Sequence, residues 1–210
     1  MSHTTPAGGA AFTSTYLRLP RENIDTDQII PARFLTTTSR DGLGPQAFHD
    51  WRYQADDSPT PDFPLNQTAA REAHVLVAGH NFGCGSSREH AVWALQGAGF
   101  RAIVSSAFAD IFQGNALGNG LLPIQVDAEV LRSLLADDRQ DALLRVDLEQ
   151  STLTLPDGSP VSFSLPPFAR HCLLHGIDEM QFLLGAVGDV SDYELRHPAS
   201  IDTLSEGVAA

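Results

Sequence analysis

The run Gly79-His80-Asn81-Phe82-Gly83-Cys84-Gly85-Ser86-Ser87-Arg88-Glu89-His90 gathers side chains suited to holding a small anion and moving a proton on it. Two adjacent hydroxyls, Ser86 and Ser87, stand beside Arg88, whose planar fork grips a carboxylate through two hydrogen bonds. Gly83 and Gly85 let the backbone approach a ligand or take positive φ. The Ser86-x-x-Glu89 spacing predicts a capping box opening a helix over 87–96. Free N–H groups and the helix dipole would then favour an anion beside the serines. A capped helix after a tight turn accounts for the spacing equally well. Two serines, an arginine and a histidine within one turn favour a site.

Cys84 lies in the glycine loop, where a nucleophile is conceivable. No base stands at a useful spacing from it, so it reads as a packing residue.

The elements that must position this run are legible on either side of it. Residues 74–78 form an apolar strand buried on both faces, and residues 101–105 a second. Strand, helix, strand in this order implies a right-handed parallel crossover. A helix over 108–117 and a strand over 121–126 follow, then a helix over 128–135 capped by Asp127. A hairpin of 144–155 against 161–165 turns at Asp157-Gly158, and helices over 168–175 and 178–184 are separated by Gly176.

Upstream, residues 16–19 read as a short strand ended by Pro20. Asp25 and Asp27 invite a general-acid or metal reading, but two acids two apart more often form a turn and cap. Residues 36–44, rich in Thr and Gly, read as a mobile loop, and residues 54–64 as an acidic, proline-rich surface connection. The fold class is α/β with parallel and antiparallel strands and flanking helices. A single domain over 16–201 is expected, with a flexible leader over 1–15 and a flexible tail over 202–210.

Composition narrows the function. The 210 residues carry a formal charge of −13 with only 13 basic side chains, which excludes a surface built to bind nucleic acid. Cys84 and Cys172 form no metal or disulfide pattern, and no metal site is expected on this chain. His171 and His175 stand four apart on a helix but lack the third ligand and Glu partner of a zinc motif. With no signal-peptide pattern and no apolar run of membrane-span length, a cytoplasmic protein is expected.

Three motifs in order carry a family resemblance. The segment 83–91, Gly-Cys-Gly-Ser-Ser-Arg-Glu-His-Ala, is followed by Gly-Phe-Arg-Ala-Ile-Val at 99–104 and Ser-Ala-Phe-Ala-Asp-Ile-Phe at 106–112. Together they resemble the swivelling domain of the aconitase superfamily. The stretch 23–35, opening Asn-Ile-Asp-Thr-Asp, resembles the start of that domain when it is a separate chain, and 115–124 resembles its Asn-x(4)-Gly-Leu-Leu-Pro run. The resemblance spans about residues 12–200. Chain length, the Asn81–Gly85 loop variant and the helical tail resemble the small subunits of bacterial 3-isopropylmalate dehydratases.

This resemblance implies an aconitase-like swivelling β/β/α domain and a hydro-lyase that interconverts 2- and 3-isopropylmalate in leucine biosynthesis by removing and re-adding water. It assigns Ser86 as the base, acting as an alkoxide, and Ser87 and Arg88 to the substrate carboxylate. Arg33 or Arg40, beside or within the loop said to close over the substrate, and His80 or His90 flanking the site are further candidates for substrate contacts, the histidines alternatively for fixing the loop. Gly83, Cys84, Gly85 and Glu89 shape the loop and helix start, and the resemblance places Asp25 to Gln28 near the active site and the large-subunit interface, where they would organise the cleft without doing chemistry.

Such chemistry also needs a Lewis acid to draw off hydroxide. In aconitase-like enzymes this is a [4Fe-4S] cluster held by three cysteines, which this chain lacks, so a large iron–sulfur subunit is the implied partner and the site should lie between them. The runner-up substrates are homocitrate and methylmalate, and Phe34, Leu35 and Leu43 favour an isopropyl pocket. A carboxylate-binding module without catalysis is the alternative of a different class.

Overall fold

A computed structural model describes residues 10–197. The elements in chain order are β1 (Ala11–Leu19), α1 (Thr26–Ile29), α2 (His49–Arg52), β2 (Ala73–Ala78), α3 (Glu89–Gly97), β3 (Ala102–Ser105), α4 (Asp110–Gly118), β4 (Leu122–Gln125), α5 (Ala128–Ala136), β5 (Leu143–Asp147), β6 (Thr152–Thr154), β7 (Pro160–Ser162), α6 (Pro167–His175), α7 (Glu179–Gly185) and α8 (Val187–Arg196). They build a seven-stranded sheet in the order β4-β3-β2-β1-β5-β6-β7. Strands β1 to β4 pair in parallel, and β1-β5-β6-β7 pair antiparallel. The α/β class with mixed pairing is as expected.

Alternation along the strands divides the core in two. Leu17 and Leu19 of β1, Leu76 and Ala78 of β2 and Ile103 of β3 face one cluster, with α3, α4 and Phe48. Tyr16, Val75, Val77, Ala102 and Val104 face the other, with Leu131 and Leu134 of α5 and Leu173 of α6. Period-two side chains on a sheet covered on both faces produce this division.

Three expectations need correction. β1 begins at Ala11 rather than Tyr16, so residues 11–15 belong to the sheet and not to the leader. Their hydroxyl-rich composition hides this, although β1 is paired along both edges and Ser14 Oγ donates to the Thr15 and Glu72 carbonyls. Residues 1–9 of the expected leader and all of the expected tail fall outside the described residues, as do 198–201 of the expected domain. The hairpin of 144–155 against 161–165 is a three-stranded meander, because the chain also reverses at 148–151, where Ser151 takes φ 49° and Asp147 Oδ1 accepts from Gln150 N at 2.9 Å. That turn contains neither Gly nor Pro. Asp127 occupies the N-cap position of α5 but makes no side-chain cap bond.

Other local signals hold. Gly158 takes φ 88° at the Asp157-Gly158 turn, and Asp178 caps α7 in a capping box with Gln181. Helix α8 extends the helical end beyond the two helices read from the sequence, and α7 and α8 leave Met180, Leu184, Val187, Tyr193 and Leu195 exposed. Among the described residues no helix is long and apolar enough to cross a membrane.

Two outcomes are expected. Thr15 Oγ1 is buried without a partner among the described residues, beside the register shift between Thr15 and Tyr16. Thr15→Val should therefore be neutral or stabilising by about 1 kcal/mol in urea unfolding. Burial, and then the hydrogen bond to Asp137, push the Tyr16 hydroxyl from 10.0 up to about 12. The folded chain thus keeps a proton that the unfolded chain loses first. This contribution is complete below pH 10 and is lost between pH 10 and 12. Thermal melts across that window should fall more steeply for the wild type than for Tyr16→Phe.

Candidate active site

The loop leaving β2 is shaped by backbone demands that few side chains tolerate. A Cβ on Gly79 would lie 2.2 Å from the Arg21 carbonyl oxygen. Gly83 takes φ 77°, and a Cβ there would meet the Phe112 ring at 2.2 Å. Gly85 takes φ 90°. Phe82 anchors the loop, fully buried and edge-on to Phe112.

Residues 23–28 run alongside this loop as a strap. Asn23 N donates to the His80 carbonyl at 2.8 Å, Gly83 N to the Ile24 carbonyl at 2.7 Å, and Thr26 N to the Cys84 carbonyl at 2.9 Å. Thr26 Oγ1, buried, donates to the Ser86 carbonyl at 2.8 Å. On the loop's other side Phe82 N donates to the Ala107 carbonyl at 3.0 Å, and the Phe82 carbonyl accepts from Ala109 N at 3.1 Å. Asp25 caps α1 in a capping box with Gln28, as the turn-and-cap reading expects.

The clasped loop presents Ser86 and Ser87 on the surface, where neither hydroxyl has a partner among the described residues. Arg88 is largely covered, and Asp27 grips both of its terminal nitrogens, Nη2 donating to Oδ2 at 2.7 Å. The helix starts later than the capping-box reading requires. Its N-cap is Arg88, in extended conformation and with no side-chain cap bond. Ser86 therefore stands two positions ahead of the cap, and Glu89 Oε1 instead accepts from Asn119 Nδ2 at 2.8 Å. The first-turn amides of α3 are left without a side-chain cap, open to an anion.

Cys84 Sγ–H donates to the Asn23 carbonyl at 3.4 Å, and burial, then Asp25, push its thiol up, which suits packing rather than attack. His90 fixes the loop. Its Nε2 is joined to the Thr37 carbonyl at 2.8 Å and its ring lies on Trp93, over which Arg40 also sits.

Two expected participants lie elsewhere. Arg33 is paired with Asp50 and also joined to His49 Nδ1 at 2.9 Å, and its hydrogen bond to Asp50 holds that carboxyl below its ordinary range. His80 Nδ1 is joined to Ser106 Oγ at 3.0 Å in a groove lined also by Gln113, Gln125 and Phe163, in which Ser86 to Arg88 take no part. Leu43 belongs to the core and not to a substrate pocket.

The reading missed two residues. Asn119 ties the start of α3 to the end of α4 by accepting from Trp93 Nε1 at 2.9 Å while donating to Glu89 and to the Asn115 carbonyl. Its position inside the 115–124 motif was the available signal. Asp27 lies in the segment expected to organise the cleft, and only its pairing with Arg88, 61 residues away, had no signal.

Fold and loop together define a swivelling domain of aconitase type, and the comparisons agree. A family model described as the aconitase C-terminal domain matches residues 12–129, more than half of the chain. The 3-isopropylmalate dehydratase small subunit of Roseiflexus sp. (strain RS-1) is 50% identical over 196 residues, covering 92% of this chain and 96% of the relative. That of Anaeromyxobacter dehalogenans (strain 2CP-1 / ATCC BAA-258) is 57% identical over 176 residues, covering 84% and 91%. Among solved structures, a 3-isopropylmalate dehydratase from Methanocaldococcus jannaschii matches with a TM-score of 0.63 at 25% identity, over 87% of this chain and 99% of the other. The chain belongs to the family of 3-isopropylmalate dehydratase small subunits.

Removing the His90 tie should loosen the 36–42 loop. A lost neutral hydrogen bond of about 1 kcal/mol corresponds to roughly fivefold more opening. Limited trypsin digestion should cut after Arg40 about that much faster in His90→Ala than in the wild type.

Proposed function

We propose that this chain acts as the small subunit of a 3-isopropylmalate dehydratase, supplying the base and the carboxylate clamp for a dehydration and rehydration that exchanges the hydroxyl between adjacent carbons. The observation that carries this is the exposed Ser86-Ser87 pair beside the covered Arg88 fork on a clasped loop, ahead of an uncapped helix, in a chain half identical to such subunits. In this reading Ser86 Oγ removes the proton from one substrate carbon as hydroxide leaves its neighbour, giving isopropylmaleate, and on rehydration delivers a proton to that neighbour as hydroxide adds to the first carbon. Ser87 and Arg88 hold the carboxylate. A serine hydroxyl is too weak an acid to ionise in water. The α3 amides and the Arg88 charge would lower that cost in a closed site.

The family relationship brings in an iron–sulfur cluster as the group that accepts hydroxide. The residues of this chain do not fit one. Its two thiols are both pushed up by burial, Cys84 bonds a carbonyl and Cys172 is buried on α6. Among the described residues no group of three His, Cys, Asp or Glu side chains could hold a metal ion. In this reading a large subunit carries the cluster, the site forms between the two chains, and both work in the cytoplasm.

The test mixes this chain with an anaerobically reconstituted large subunit and follows isopropylmaleate absorbance from 2-isopropylmalate. Turnover is expected only in the mixture, and Ser86→Ala should lower it by about 10²–10⁴-fold while the complex still forms. Turnover of homocitrate or methylmalate alone would correct the substrate, and activity of the isolated chain would overturn the division of labour.

A further inference from the structure

We propose that Asp27 is a positioning residue, whose carboxylate holds the Arg88 guanidinium in the orientation that receives the substrate carboxylate. The inference rests on the reading of Arg88 as a carboxylate clamp given above. Asp27 is not needed to cap α1, because Asp25 does that, and its side chain is spent on Arg88 alone among the described residues. The pair is two-pronged, Nη1 to Oδ1 and Nη2 to Oδ2, with the Ile30 carbonyl 3.5 Å from Nη1. Such a fork-to-fork contact fixes the plane of the guanidinium as well as its place. Asp27 takes two of the five N–H groups and the Ile30 carbonyl a third, which leaves Nε–H and the second Nη2–H for a second carboxylate.

The frame behind Asp27 matters equally. The residue before it, Thr26, donates through its amide to the Cys84 carbonyl and through its hydroxyl to the Ser86 carbonyl. Arg88 and Ser86 are therefore referred to the same short helix, one through a side chain and the other through backbone. Asp27 thus sets where the carboxylate is gripped relative to Ser86, so its loss should weaken the grip on substrate more than it slows the bound substrate.

A merely stabilising ion pair makes a different forecast. Asp27 is 52% exposed, and pairs with an exposed partner add little stability. A competing carboxylate makes a third, since removing its charge would strengthen substrate binding. The three are separated by Asp27→Asn, which keeps the shape and loses the charge.

In the complex with the large subunit, positioning predicts a KM for 2-isopropylmalate raised about tenfold, a smaller change in kcat, a melting temperature close to wild type, and no further loss when Asp27→Asn is added to Arg88→Ala. An unchanged or lowered KM would overturn the proposal. In the isolated chain, arginine side-chain NMR, assigned with Arg88→Lys, should show restricted rotation of the Arg88 guanidinium that Asp27→Asn releases. Free rotation in the wild type would overturn it independently of turnover. A wild-type pair with no turnover would overturn the reading of the active site and this inference with it, whereas normal turnover with an indifferent Asp27→Asn would remove the inference alone.

Discussion

The parallel run of residues 23–28 against 80–86 is the constraint on which the site depends. Neither segment is a regular strand over its length, yet backbone bonds from Asn23, Thr26, Gly83 and Cys84 join them as closely as a ladder would. A loop with three glycines has much conformational freedom to lose. Here that loss is offset by bonds to the strap on one side and to 107–109 on the other, so the serines are displayed from a fixed backbone although they lie on the surface. The strap leads directly into the Thr-rich loop, which His90 pins to α3, and both sides of the candidate cleft are thereby tied to the helix that begins at Glu89.

Electrostatics around the site are local rather than global. A chain with a charge of −13 would repel a dicarboxylate approaching at random. The cation available to it is Arg88, shielded by the protein and held by Asp27, together with the open amides of α3. Groups of this kind act chiefly at hydrogen-bond distance, which suits a cleft completed by another chain better than long-range steering in solution.

Much of the fold was legible because its signals are local. The strands at 73–78 and 102–105, the Asp157-Gly158 turn and the Asp178 cap each announce themselves within a few residues. Most of what escaped depended on pairings that no local residue type announces. The first half of β1 looks like a polar leader until β2 and β5 are placed beside it. The turn at Ser151 has none of the usual turn residues and follows from the pairing of β5 with β6. At the site, the motif named the right loop but placed the helix start too early. A Ser-x-x-Glu pattern satisfies local rules even when Asn119, from the following helix, takes the glutamate. The Asp27–Arg88 pair has no pattern at all in the linear chain.

The contact of Gly83 with the Phe112 ring carries a last consequence. The loop that bears the serines is moulded against a side chain from the next strand–helix unit, so the two positions form one unit of change. A larger residue at 83 would collide with the ring, and a smaller residue at 112 opens a void beneath the loop. Position 83 is thus held to glycine twice over, by the ring beneath it and by a φ of 77° that side-chain-bearing residues rarely adopt.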